Sequence, residues 1–317
     1  MPAPEPAGGW AATAFGLEIE AAFPVPGLDD LGSTGAGSPV SLGLMPLERL
    51  QGLWRSGEAE TVVRSEVPAM TLDHHPALGY LLDTADFGSY LLARDGSLVR
   101  CAPPPADNWR WQRFLTGHVL PLAALLGQFE VFHASAVRLG DRVLAFVGAS
   151  GAGKSSLALR LVMGGATLFT DDVLVLRAED ERVVAHPGAG VVNLRHAEHE
   201  LLREAGAELG AEIGRDAKGV RLWMARDGRP GPLTAMYFLD RESPGPGPRF
   251  RRIDEVDPAR LLGATYNFAI RTPERLLNQL DVCARLAADV EMYEVSCPPP
   301  VGAAALAVEI AAHSERH

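Results

Sequence analysis

Gly148-Ala-Ser-Gly-Ala-Gly-Lys-Ser155 decides how this chain is read. The octapeptide satisfies G-x-x-x-x-G-K-[ST] at each fixed position, the pattern of a phosphate-binding loop. Glycines allow successive backbone N–H groups to curl around an anion. Residues Gly148, Ala149, Ser150, Gly151, Ala152, Gly153, Lys154, Ser155 and Ser156 are therefore the candidate nucleotide-binding set. Lys154 is placed to reach the outer phosphates, and the Ser155 hydroxyl to ligate Mg²⁺. The flanks fit this reading. Arg142-Val-Leu-Ala-Phe-Val147 is a short apolar run of strand type, and Leu157, Leu159, Leu161 and Val162 follow in a helical segment that Gly164-Gly165 stops. The order strand, glycine loop, helix places the positive end of a helix dipole at the phosphate site.

Working outward, the chain has 317 residues, enough for two domains. Its net charge of −11 argues against a general nucleic-acid binder, because phosphate backbones attract basic surfaces. Cys101, Cys283 and Cys297 are scattered without metal spacing and read as reduced cysteines. The N-terminal residues lack the basic and apolar regions of a signal peptide. The longest apolar run, near Val119–Leu126, is far too short to span a bilayer. A cytoplasmic protein with no membrane partner is expected.

The sequence divides into a disordered tail over 1–9, a β-rich domain with a terminal helix over 10–127, and an α/β domain over 128–317. In the first domain Thr13–Glu20 alternates as a strand, 25–40 reads as loop, and Asp95-Gly96 joins two strands of a hairpin within 89–101. Asp107 or Asn108 caps a helix that runs to Leu126 and kinks at Pro121. Its tryptophans read as packing residues. In the second domain strands are expected at 129–138, 142–147, 166–170, 173–178, 182–186, 220–225, 233–239 and 249–254. Helices are expected at 154–163, 195–205, 257–263, 273–289 and 302–312. Pro244-Gly-Pro-Gly-Pro248 reads as a surface turn.

Two further features carry chemistry. Asp171-Asp172 ends a strand beside the loop, where carboxylates can hold Mg²⁺ or accept a proton from an attacking hydroxyl. Two adjacent carboxylates repel, so one needs the metal or Lys154 to stay ionised. His133 lies in Val131-Phe-His-Ala-Ser-Ala-Val137, where a lone histidine on its own reads as a packed core residue.

His133-Ala-Ser-Ala-Val, Phe146-Val-Gly-Ala-Ser-Gly-Ala-Gly-Lys-Ser-Ser156 and Leu168-Phe-Thr-Asp-Asp-Val-Leu174 together resemble the HPr kinase/phosphorylase family in order and spacing. His186-Pro-Gly-Ala-Gly-Val-Val-Asn-Leu194 resembles the segment that follows in that family. The resemblance covers about 130–240 well and the rest to 313 loosely. It implies a P-loop kinase core of the HPr kinase and phosphoenolpyruvate carboxykinase type, preceded here by a smaller β-rich domain. It implies ATP and Mg²⁺ as cofactors, catalytic roles for Asp171, His133 and Lys154, and Ser155 with Asp172 for the metal. In this carry-over Asp171 is the acid/base toward the acceptor hydroxyl.

The departures bear on the substrate. His186 and Pro187 occupy the places of an acidic and a basic residue in HPr kinases, and the N-terminal region does not resemble theirs. The chain looks more like HPr-kinase-like proteins of peptide-modification clusters, among them lasso-peptide precursor kinases. The implied function is a serine kinase acting on a peptide or small protein. Two alternatives stay open: a kinase of a serine-like metabolite, and a nucleotide-dependent regulatory module with little turnover. Lys218 and Arg221 are candidates for a basic clamp on the transferred phosphate. A homo-oligomer is compatible with the resemblance.

Overall fold

The computed structural model describes residues 9–28, 37–55, 59–66, 69–105, 109–180, 182–241, 245–266, 270–298 and 301–316. Residues 1–8 of the tail expected over 1–9, the cap at Asp107 or Asn108, and Pro244 of the proline-glycine turn lie outside them. The chain is a mixed α/β protein with several sheets. It divides into two compact units, 1–129 with 267–278, and 130–266 with 279–317.

The first unit is built on an eight-stranded sheet. The stretch expected as one strand at 13–20 is a hairpin instead. Trp10–Ala14 pairs antiparallel with Leu17–Ala21 across Phe15 and Gly16, whose φ values are 59° and 73°. Two positive-φ residues in succession are what a tight turn of this hand requires. Ser38–Leu44 and Leu98–Ala102 continue the sheet in parallel, and Gly88–Leu92, Gly79–Thr84, Ala69–His75 and Glu60–Glu66 complete it antiparallel. The hairpin expected around Asp95-Gly96 is the Gly88–Leu92 and Leu98–Ala102 pair. Gly96 has φ 75°, and a Cβ there would meet the Ala123 carbonyl oxygen at 2.2 Å.

The helix that follows is interrupted directly before Pro121. Arg110–Phe114 and Leu120–Leu126 are α-helical, and Leu115–Val119 between them is a π-helical turn in which the Leu120 N–H bonds the Leu115 carbonyl. Pro121 has no N–H to give, and the wider turn absorbs that loss. Phe114 stacks between Phe87 and His118, at centroid distances of 4.9 and 4.5 Å.

In the second unit Arg142–Val147 and Gly231–Asp240 run parallel at the centre of a nine-stranded sheet. Ala134–Leu139 and Thr167–Thr170 extend one side. Arg182–His186, Leu174–Glu179 and Glu130–Phe132 branch from the start of the long strand. Glu291–Ser296 pairs parallel with that strand and carries Arg249–Arg252 on its outer edge. A separate three-stranded sheet joins Val191–Leu194, Gly219–Trp223 and Ala211–Asp216. Sequence reading did not mark the strands at 191–194, 211–216 and 291–296.

The helix Lys154–Met163 lies where these layers meet. Leu157, Ala158 and Leu161 pack with Phe146, Tyr237, Leu306 and Ile310, while Leu159 packs with Val192, Leu202, Val220 and Leu222. Apolar side chains on two faces hold the helix between the large sheet and the small one, and so fix where its first turn points.

Candidate active site

The glycine loop joins the end of the central strand to that helix. Gly151 and Gly153 have φ of 86° and 89°, a region that costs glycine little and other residues more. Gly153 is the residue before the first helical turn, which has no side-chain cap and no acidic residue. The first-turn amides have no intrahelical carbonyl to bond, so this helix start is open to an anion.

Lys154 is buried and held by its own loop. Its Nζ donates to the Gly148 carbonyl at 2.8 Å and lies 3.3 Å from His133 Nε2. Burial lowers the Lys154 pKa from its ordinary value, while Asp172 and, less strongly, Asp171 oppose that.

His133 sits in a break between strands rather than inside one. The expected strand at 129–138 is two, Glu130–Phe132 and Ala134–Leu139, which pair with different neighbours. The His133 N–H bonds the Ala264 carbonyl at 2.8 Å, and its Nδ1 lies 3.1 Å from the Asp172 carbonyl oxygen. Burial, then the Lys154 charge, lowers the His133 pKa. A neutral ring satisfies both contacts: Nδ1–H donates to Asp172, and Nε2 accepts from Lys154.

The aspartates follow Thr167–Thr170. Asp172 has φ 67°, and the Val173 N–H bonds the Asp171 carbonyl at 2.9 Å, closing a tight three-residue turn. That conformation is costly for a residue other than glycine, and turns of this kind gather at functional sites. Asp171 is 8 % exposed. Its Oδ1 accepts from the Ser135 hydroxyl at 2.6 Å and its Oδ2 from the Asn193 N–H at 3.0 Å. Ser155 follows Lys154 in the first turn of the loop's helix, and its nearness works to lower the Asp171 pKa. Burial, then repulsion from Asp172, nevertheless pushes the Asp171 pKa up to about 6. Asn193 Nδ2 reaches Asp171 Oδ2 at 3.4 Å and Asp172 Oδ2 at 3.1 Å, bridging the pair.

The donor set suits a small hard cation. Two carboxylates, the Ser155 hydroxyl and Asn193 Oδ1 are all oxygen ligands, the class Mg²⁺ takes. Asn193 Oδ1 is buried without a hydrogen-bond partner among the described residues. Its orientation follows from Nδ2 donating to both carboxylates. Among the described residues no cluster of three or more His, Cys, Asp or Glu could hold a metal ion. A cation here would therefore complete its shell with water or phosphate oxygens, as Mg²⁺ at nucleotide sites does.

The structure thus brings Lys154, His133, Asp171 and Asp172 into one hydrogen-bonded group, with Asn193 bridging the aspartates and Ser155 beside them. Ser156 is engaged elsewhere, donating to Glu198 on the helix His196–Glu204. Arg221 is 3 % exposed and ion-paired to Asp216 at 2.9 Å. Lys218 is exposed in the turn between Ala211–Asp216 and Gly219–Trp223. Ser135, Asn193, Arg195 and Glu198 were not singled out from the sequence. Ser135 and Asn193 lie within the stretches that carry the family resemblance, which is the signal that could have found them.

No family model matches this chain, and no curated protein matches it. Among solved structures, the HPr(Ser) kinase/phosphatase from Coxiella burnetii aligns over 59 % of this chain and 96 % of its own, with 14 % identity and a TM-score of 0.32. A superposition that loose carries no functional argument. Among the described residues no helix is long and apolar enough to cross a membrane.

Proposed function

We propose that the chain is a Mg²⁺-dependent ATP:hydroxyl phosphotransferase whose acceptor is a serine of a peptide or small protein. The observation that carries this reading is the unbroken set of contacts from the glycine loop through Lys154 and His133 to Asp172 and Asp171. The loop amides and Lys154 hold the phosphates. Lys154 exchanges the Gly148 carbonyl for a phosphate oxygen. When bound, Mg²⁺ screens the triphosphate and stabilises charge on the leaving oxygen. Asp171 and Ser155 are the pair placed to hold it, with the unpartnered Asn193 Oδ1 beside them.

That leaves Asp172 for the acceptor, the reverse of the division drawn from sequence. Asp172 is half-buried, whereas both oxygens of Asp171 are already bonded. In the step, the acceptor O–H proton passes to the Asp172 carboxylate. The acceptor oxygen bonds the γ-phosphorus as the bond to the β-bridging oxygen breaks, and ADP leaves. His133 holds the Asp172 backbone and Lys154 in place from opposite sides of its ring. Catalysis by this group is positioning and charge neutralisation.

The test is incubation with ATP, Mg²⁺ and a panel of serine-containing peptides, read by intact mass. A phosphate adduct on a peptide is expected with wild type and not with Lys154→Met. Failure of wild type to bind ATP or ADP by calorimetry refutes the reading outright.

A further inference from the structure

The segment after Asn193 carries a cation that the mechanism above does not use. Arg195 is the residue that starts the helix His196–Glu204. Its guanidinium lies across the glycine loop: a Cβ built on Gly151 would stand 3.0 Å from Arg195 Nη2. The segment is tied down on both sides of this point. Asn193 bonds the two aspartates, and Glu198 accepts from Ser156 at the start of the loop's own helix. Arg195 is therefore carried on a braced turn between two anchors.

Its neighbours have other employment. Arg203 pairs with Glu200, Arg215 with Glu212, and Arg221 with Asp216. Among the described residues Arg195 has no carboxylate partner. Gly151 has no side chain to block the approach, and its φ of 86° makes any other residue there strained. A planar guanidinium with open donors over an anion-binding loop matches the oxygens of a phosphoryl group, which it can bond in pairs.

We propose that Arg195 contacts the γ-phosphate of ATP rather than the diphosphate and neutralises charge on the phosphoryl group during transfer, acting as an arginine supplied by the chain itself. The proposal rests on the kinase reading, and specifies how the site tells the transferring group from the bound diphosphate. Such an arginine contributes most when the phosphoryl group is in flight, where its loss costs roughly 10³–10⁵ in rate in known cases.

The test needs no acceptor. Affinity for ADP with Mg²⁺ is measured by calorimetry, with and without aluminium fluoride, which mimics the phosphoryl group between donor and acceptor. Wild type is expected to bind ADP at least tenfold tighter when aluminium fluoride is present. Arg195→Ala is expected to bind ADP within threefold of wild type and to lose that gain. Arg195→Lys is expected to recover only part of it, because an ammonium keeps the charge without the fork. The proposal is overturned if Arg195→Ala keeps the full gain, or if wild type binds ADP and shows none. A wild type that binds no ADP at all sinks the kinase reading instead, so the two failures are distinct.

Discussion

Replacing Asp171 by asparagine is expected to stabilise this protein while disabling its site. Asp171 is 8 % exposed and shares its surroundings with a second carboxylate. Its pKa is pushed from 3.8 to about 6. A raised carboxylate pKa means the unfolded chain gives up the proton more readily than the native one. Native stability is then full below the unfolded value and declines as pH rises through the native value. The shift is about two units at about 1.4 kcal/mol each, so the ionised group costs at most about 3 kcal/mol at neutral pH. Asparagine carries no charge and fills the same space. Its Oδ1 can accept from the Asn193 N–H, and its Nδ2 can donate to Ser135, whose hydroxyl accepts as well as donates. The assay is urea unfolding in metal-free buffer at pH 7.5 and at pH 5. Wild type should gain stability on acidification. Asp171→Asn should exceed wild type at pH 7.5, by up to about 3 kcal/mol, keep about half of that margin at pH 5, and converge with it only below about pH 4. The same variant should lose Mg²⁺-dependent phosphoryl transfer. A variant less stable than wild type at pH 7.5 would show that the hydrogen bonds to the carboxylate outweigh its desolvation.

Two further expectations concern neighbouring groups. Ser135→Ala removes a 2.6 Å hydrogen bond to that buried carboxylate and should cost about 1.5–3 kcal/mol at pH 7.5. The charge-assisted share of this cost should vanish in the Asp171→Asn background, and a double-mutant cycle in which the two effects simply add would contradict it. His186 is held down to about 4 by burial and then by Arg177, so the native state refuses a proton that the unfolded chain accepts near 6.5. Stability should therefore be intact above pH 6.5 and fall as pH drops toward 4, by up to about 3 kcal/mol, and His186→Gln should flatten that slope in acid unfolding curves.

The metal and base roles illustrate how far a pair of adjacent letters goes. Asp171-Asp172 announces carboxylate chemistry in the sequence, but neighbours in a chain can face different partners. The turn at Asp172, with φ 67°, sends one carboxylate into a buried pocket against Ser135 and Asn193 and leaves the other half-exposed. Nothing in the local composition marks that turn. Likewise, 129–138 reads as one continuous strand because Phe129, Val131, Phe132, Ala134, Ala136 and Val137 keep it mostly apolar throughout. The break at His133 arises because Glu130–Phe132 and Ala134–Leu139 are claimed by different neighbours.

The sequence by itself determined the glycine loop, the strand before it and the helix after it, whose bounds at Lys154–Met163 match the expectation. These are local matters, set by glycine freedom and by apolar spacing within one helix. Only the tertiary structure decided which side chains meet the loop. Ser135 comes from the start of one strand, Asn193 and Arg195 from the end of another, and Glu198 from the helix beyond it. Their arrival depends on strand register, in which a slip of one residue turns each side chain to the opposite face. That register is fixed by packing across the whole unit, and no short stretch of chain encodes it.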